Sequence, residues 1–470
     1  CPVGLPGPLR QDLQQRVLRR EQDSPGRGVQ RGVHAGGAGQ LPDCVAGAAA
    51  GTVAKTMSAY DMQVSDVIYG KAGAYVSRER LEQMLNREFE LLQQRLKSSR
   101  NRNTTFFSYA ATVTARSFKQ KKECHGWVGV RVQLYPEAPP SEIVLHVRML
   151  DDDNGRQAEA LGILGVNLIY GAFFYKDQPK WIIDGLLDGV DSNRLEIDQI
   201  NFCGPYFEAI DNRLMNLHLV RSWCCRAVMF DNSGTSIVPS SALRKKDVLV
   251  MRGSFKPPTK VHVDMSRAAQ DQFVNIGSAS GRGVITVAEI TMAELASDGE
   301  DDSNFLARVD LLAKLGYHVL ISDYLRYFRL RSWIRNYTDN SIGIILSVRD
   351  FDGLFAERYY EGLEGGTLEA MGKLFSDDTH VYVYPANIEG KLVTLGNISL
   401  DGSLDYLLKY LIENKSLIPI EDYNTELLTI SNRKIIEQLT SKNNDQWQTF
   451  VPDVVAEEII SKQLFGYKKP

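Results

Sequence analysis

The stretch from Val248 to Met265 reads Val-Leu-Val-Met-Arg-Gly-Ser-Phe-Lys-Pro-Pro-Thr-Lys-Val-His-Val-Asp-Met, and its spacing suggests chemistry rather than packing. An apolar run over 248–251 meets Gly253-Ser254, Pro257-Pro258 follows, and Val261, Met265, Ala268 and Ala269 then recur at helical spacing. The order is strand, glycine turn, helix. Gly253 allows the backbone to approach a ligand, the N–H groups of a helix start favour an anion, and proline costs nothing at a helix opening. His262 falls in the first helical turn, where an imidazole can donate to a phosphate oxygen. The chemistry that suits this pattern is phosphate binding.

The run Gly253-Ser254-Phe255-x-Pro257-x-Thr259-x-x-His262 resembles the first motif of the nicotinamide mononucleotide adenylyltransferases, members of the HxGH nucleotidyltransferase superfamily. The resemblance covers a short stretch of a long chain. It implies that Gly253, Ser254 and Phe255 lie against nucleotide phosphates, that Thr259 stands at the place of the motif's first histidine, and that His262 is the second. In the family that second histidine stabilises charge on the ATP phosphates during adenylyl transfer. Lys256 stands where the family has Asn or Asp, and with Arg252 it forms a basic pair that attracts phosphate. The family's second motif, Ile-Ser-Ser-Thr-x-x-Arg, has no full copy. Its nearest forms are Ile321-Ser322-Asp323-Tyr324-Leu325-Arg326 and Ile430-Ser431-Asn432-Arg433, and the first of these offers Arg326.

The candidate site is therefore His262 and Thr259 for catalysis, with Gly253, Ser254, Phe255, Lys256 and Arg326 for nucleotide binding and no metal-ligand set. The resemblance implies ATP with Mg²⁺, and a nicotinamide or nicotinate mononucleotide as the small-molecule partner. From about Met57 the chain also resembles a family of bacterial proteins of similar length, to which both nucleotide adenylyltransferase and TonB-dependent receptor roles are ascribed. A receptor barrel needs a train of alternating strands of roughly ten residues, whereas this chain alternates strands with helices. The residues alone keep a second reading open. Gly-Ser turns recur throughout α/β proteins and a first-turn histidine often caps a helix, so a non-catalytic α/β scaffold or regulatory protein could use the same loop for packing or ligand binding.

A length of 470 residues points to more than one domain. A net charge of -4 gives no broad drive towards nucleic acid or anionic membrane. The best apolar stretch, 158–175, is broken by glycines and an asparagine and reads as a buried helix rather than a span. The expectation is a soluble, cytoplasmic protein with no nucleic-acid or membrane partner; the oligomeric state is not legible. Cysteine spacing gives neither zinc pairs nor a disulfide framework, so Cys124, Cys203, Cys224 and Cys225 read as reduced thiols. The pair Cys124-His125 lacks the second cluster that a metal or nucleophile site needs.

The organisation follows from composition and periodicity. Residues 1–56 lack Ile, Phe, Tyr, Trp, Asn and Met and are expected to be a disordered, non-native upstream extension. An amphipathic helix with Ser77 as N-cap and a basic linker fill 57–104, and strands at 106–118, 127–134 and 142–150 open a mixed α/β lobe over 105–245. Gly162, Gly165 and Gly171 inside its first helix suggest close packing. Regular strand–helix alternation over 246–390 predicts a nucleotide-binding-like α/β lobe, and 391–470 reads as a helical and loop appendage. The fold class is α/β with two lobes: a mostly parallel sheet flanked by helices in the C-terminal half and a mixed α/β N-terminal half. Glu289, Asp323 and Asp350 stand after predicted strands, where carboxylates either serve ligands or cap helices. The arginines of 324–335 read as solvated and the aromatics among them as core; Gly365-Gly366-Thr367 reads as an anion site or a hinge.

Overall fold

The computed structural model describes residues 43–48 (backbone only), 65–96, 98, 103–114, 124–276, 283–297, 301–441 and 446–468. Most of the expected extension over 1–56 and residues 298–300 lie outside these residues. In the N-terminal half a five-stranded sheet runs in chain order, β1 (Asp43–Ala48), β2 (Thr104–Thr114), β3 (His125–Val132), β4 (Ser141–Met149) and β5 (Leu195–Cys203). β1 joins β2 in parallel and the rest pair antiparallel.

Helices cover this sheet. α1 (Arg78–Leu96) packs Leu81, Met84 and Leu85 against Ala110 and Val144, and the Ser77 hydroxyl accepts from the Arg80 N–H as the expected cap. α2 (Asn154–Phe174) packs Leu164, Leu168 and Ala172 into the core while Val166, Tyr170 and Phe174 stay exposed. It is the one helix among the described residues long and apolar enough to cross a bilayer.

The C-terminal half forms an eight-stranded sheet from β6 (Ala227–Phe230), β7 (Ser236–Ile237), β8 (Asp247–Arg252), β9 (Val284–Thr291), β10 (His318–Ser322), β11 (Ile342–Ser347), β12 (Thr379–Tyr384) and, after a ribbon of β13 (Ala386–Ile388) and β14 (Lys391–Val393), β15 (Leu417–Pro419). The order is β15-β12-β11-β8-β9-β10-β6-β7. The six strands from β15 to β10 are parallel, and β6 and β7 close the edge antiparallel. Helices α3 (Asn212–Arg221), α4 (Lys260–Ile276), α5 (Asp302–Lys314) and α6 (Tyr327–Ile334) accompany them. The fold is thus α/β, with the mostly parallel sheet in the C-terminal half. Leu417–Pro419 adds an edge strand within a stretch expected to hold helices and loops.

The central strands are apolar throughout, as strands buried on both faces must be: Val248, Leu249, Val250 and Met251 are all fully buried. The two sheets share one core, in which Val128 and Val130 of β3 belong with Leu249 and Met251 of β8. Cys224 and Cys225 are buried thiols within it, and burial pushes Cys224 up to about 12.

A Cβ on Gly165 would stand 2.6 Å from the Tyr109 hydroxyl oxygen and one on Gly171 would stand 3.0 Å from Ile182, whereas Gly162 faces open space. Close packing accounts for two of the three helix glycines. Gly165→Val is expected to cost about 1–3 kcal/mol through overpacking. Gly162→Ala is expected to gain about 0.5–1 kcal/mol through backbone entropy. Urea unfolding of the two variants measures both.

Candidate functional site

In this sheet the chain runs outward from β8 through β9 to β10, then crosses back to β11 and runs the other way through β12 to β15. The reversal falls between β8 and β11. A crevice forms at the carboxyl ends of strands where the winding reverses, and ligands collect there. The Gly253 loop leaves the carboxyl end of β8 at that point and feeds α4.

The loop is built around Phe255. This residue is fully buried and takes a left-handed φ of 46°, and its ring would meet a Cβ on Gly253 at 3.2 Å. Gly253 therefore makes room for the Phe255 ring, a role distinct from the ligand approach expected of it. Pro257, Pro258 and Thr259 are buried behind the ring, and Gly253, Ser254 and Lys256 are half-buried. The Lys256–Pro257 peptide is cis.

Thr259 caps α4, its carbonyl accepting from the Val263 N–H. The imidazole of His262 reaches back, so that the Thr259 N–H donates to His262 Nδ1 at 3.0 Å and the Thr259 hydroxyl lies 2.8 Å from the same atom. This is the reciprocal half of a capping box, with histidine in the place of Glu or Gln. A backbone N–H only donates, so Nδ1 is unprotonated and the ring proton sits on Nε2. The ring packs 4.9 Å from Phe255, and desolvation pushes it down to about 4. His262 is thus a neutral imidazole with one N–H donor left over.

Beneath the loop lies a buried ion pair. Arg252 and Glu289 are register partners on β8 and β9, and the guanidinium grips the carboxylate bidentately at 2.8 and 2.9 Å. Ser322 of β10 donates to Glu289 at 2.6 Å, and Arg252 also donates to the Tyr324 and Leu325 carbonyls and stacks over Tyr327 at 4.4 Å. Glu289 is 0% exposed. Arg252 is therefore withdrawn from the expected basic pair, and Glu289 binds an arginine instead of a ligand.

Arg308 of α5, missed in the sequence because it lies 52 residues beyond Lys256 in an ordinary amphipathic helix, is fully buried and its charge acts on Lys256. Desolvation holds Arg308 down to about 10 against the pull of Glu294. Lys256 is lowered by desolvation and by Arg308, with Asp301 opposing. Desolvation and the neighbouring Glu294 push the Asp350 carboxyl up. The charges of Lys256 and Arg308 thus act on each other, as do those of Glu294 and Asp350. Arg326 is the N-cap residue of α6 and, through the Leu325 carbonyl, sits on the backbone that Arg252 holds; it has no hydrogen bond or ion pair to the loop among the described residues.

Other expected sites have structural partners. Asp323 pairs with Arg226 at 3.1 Å, and Glu369 accepts from the Gly365 N–H at 2.9 Å, filling that anion position. Arg331 and Arg335, expected to be solvated, bond to Ser376, Asp377 and backbone carbonyls that fix the start of β12. Among the described residues no group of three His, Cys, Asp or Glu side chains could hold a metal.

No protein-family model matches this chain, and no curated protein matches it. Among solved structures, the chain is similar to Plasmodium falciparum nicotinic acid mononucleotide adenylyltransferase complexed with APC, at 14% identity and a TM-score of 0.30 over 47% of this chain and 98% of that one. The same enzyme complexed with NaAD gives 12% and 0.29 over 47% and 98%. A putative nicotinate-nucleotide adenylyltransferase from Vibrio parahaemolyticus gives 14% and 0.24 over 47% and 97%. Likeness at this level says nothing of chemistry, which must come from the site.

Truncating Arg252 to Ala is expected to cost about 3–5 kcal/mol by stranding a buried carboxylate, and Arg252→Met with Glu289→Leu to recover most of it. Chemical denaturation of the single and double variants measures this. A histidine held near 4 when folded, against 6.5 when unfolded, binds fewer protons in the native state across that window. Stability is therefore expected to climb as pH rises from about 4 to 6.5, and the climb to flatten in His262→Gln, as thermal melts across this range record.

Proposed function

We propose that the loop between β8 and α4 binds nucleotide phosphates and that the chain transfers an adenylyl group from ATP to a mononucleotide. The observation that carries this reading is His262, a neutral N–H donor at a helix start located where the sheet reverses its winding. We assign the positive charge for the phosphates to Lys256, whose own charge is felt by the fully buried Arg308. In the reaction a phosphate oxygen of the mononucleotide attacks the α-phosphorus of ATP, the bond to the bridging oxygen breaks, and pyrophosphate leaves with that electron pair. The protein's part is positioning and charge stabilisation. His262 Nε2–H donates to a phosphate oxygen, Lys256 neutralises charge on the β- and γ-phosphates, the fully buried Arg308 adds positive charge behind it, and the Gly253-Ser254 backbone lies alongside.

Mg²⁺ arrives with the nucleotide and is usually held by one or two carboxylates plus phosphate oxygens. Glu294 and Asp350 are the neighbouring carboxylates that would hold it; desolvation first, and Glu294 second, raise Asp350, and a bound cation would favour its ionised form. Bound there, the ion would neutralise charge on the leaving pyrophosphate.

A second reading rests on the buried middle of the loop. Phe255, Pro257, Pro258 and Thr259 are packed away, which also suits a nucleotide-binding scaffold without turnover. Pyrophosphate release and dinucleotide formation from ATP, Mg²⁺ and nicotinate or nicotinamide mononucleotide separate the two. The enzymatic reading expects turnover that falls by about 10²–10³ in His262→Ala. Nucleotide binding without turnover would leave the scaffold reading standing, and turnover indifferent to His262 would remove its assigned role.

A further inference from the structure

The opposite edge of the same sheet carries a cleft of about 950 Å³, between the start of α1, the ends of β3 and β4, the segment 236–245 that leads into β8, and Asn336-Tyr337 ahead of β11. It meets the amino ends of β8 and β11, whereas the nucleotide loop leaves the carboxyl end of β8. A six-residue strand separates the two edges by roughly 20 Å.

Three side chains from three adjacent strands make a hydrogen-bonded line into this cleft. On β5, Asp198 is the extra residue of a bulge: His146 opposes Gln199 and Val147 opposes Ile197, leaving Asp198 with no opposite number. Bulges re-aim side chains in this way. Asp198 Oδ1 lies 2.5 Å from His146 Nδ1, and His146 Nε2 lies 3.1 Å from His125 Nδ1. Asp198 and His146 are 3% and 2% exposed, and His125 is half-buried at the cleft.

The proton positions follow from donor rules. An ionised carboxylate only accepts, so His146 carries its proton on Nδ1 and presents a lone pair at Nε2. His125 must then donate through Nδ1, which leaves its own Nε2 as a lone pair.

The wall beside this line holds polar atoms that the protein itself does not satisfy. Gln199 Oε1, Ser236 Oγ and the Tyr337 hydroxyl are buried without a hydrogen-bond partner, although Gln199 and Ser236 are only 4% and 8% exposed. Buried polar atoms almost always have partners, and three orphans on one cleft wall ask for a hydrogen-bonding ligand. Arg148 and Arg244 line the same cleft as His125 and their charges act on it. Arg148 is paired with Glu196 at 2.6 Å and stacks on Tyr337, while Arg244 is exposed and has no hydrogen bond or ion pair among the described residues.

We propose that this cleft is a second ligand site, distinct from the nucleotide loop, which takes a small hydroxylated oxyanion such as a hydroxy acid or a sugar phosphate. Arg244, with Arg148, holds the oxyanion. His125 Nε2 accepts the ligand's hydroxyl hydrogen, and the side chains of Gln199, Ser236 and Tyr337 turn on binding to complete the contacts. His146 and Asp198 are positioning residues that fix the ring of His125. Desolvation, His146, Arg148 and Arg244 together outweigh Asp198 and push His125 down to about 4. Held low in this way, His125 stays neutral and keeps its Nε2 lone pair for the ligand hydroxyl.

Nitrogen-15 NMR of the imidazoles in the full chain tests this, with glycerol 3-phosphate and glycerate as probes. Before any probe is added, both His125 and His146 should show the Nδ1–H tautomer, and Asp198→Asn should release that lock. At least one probe should then shift His125 saturably at neutral pH, with Arg244→Ala weakening it about tenfold or more and Arg244→Lys restoring part of the loss. The better probe tells whether phosphate or carboxylate is preferred. An Nε2–H tautomer at His125, no saturable shift with either probe, or equal binding in Arg244→Ala would each overturn the proposal.

Discussion

The bidentate pair between Arg252 and Glu289 is the constraint on which the candidate site depends. It binds the end of β8 to β9, reaches β10 through Ser322, and pins the chain at Tyr324 and Leu325 to the same spot. Two charges out of water are costly unless they are well hydrogen-bonded, and here the guanidinium makes four hydrogen bonds while both carboxylate oxygens accept. The gain is positional. With the strand end fixed, the Gly253 N–H still pairs to the Glu289 carbonyl, and the loop leaves the sheet in one direction only.

From that base the local geometry is nearly determined. Phe255 must enter the core, Gly253 must lack a Cβ to let it, and Thr259 must open the helix. His262 then has one place to put its ring, against Phe255 with Nδ1 on the Thr259 N–H. A capping contact and a phosphate contact are compatible because they use different nitrogens of one ring. The same histidine serves the fold through Nδ1 and leaves Nε2 for a ligand.

Much of this was legible. The strand, turn and helix around Gly253, the alternation that makes a parallel sheet, the cap at Ser77 and the packing at Gly165 all follow from local pattern. Pairings across the chain were not. Nothing near Arg252 in sequence announces Glu289, and Arg308 looks like any arginine on an amphipathic helix until the fold sets it beside Lys256. The line from Asp198 through His146 to His125 is hidden for the same reason, since it needs the register of three strands and a one-residue bulge. His125 was visible only as half of an isolated Cys-His pair. Its partners lie 21 and 73 positions away.

The sheet thus separates two candidate sites, the Gly253 loop at one end of β8 and a histidine-lined cleft at the other. The claim at the centre is that the loop holds nucleotide phosphates. Isothermal titration of the full chain with ATP and Mg²⁺ tests it most directly, in the wild type and in Lys256→Ala. The expected result is one saturable site, weakened about tenfold by loss of a single charge-assisted contact. Absence of saturable binding, or equal affinity in the variant, would contradict it.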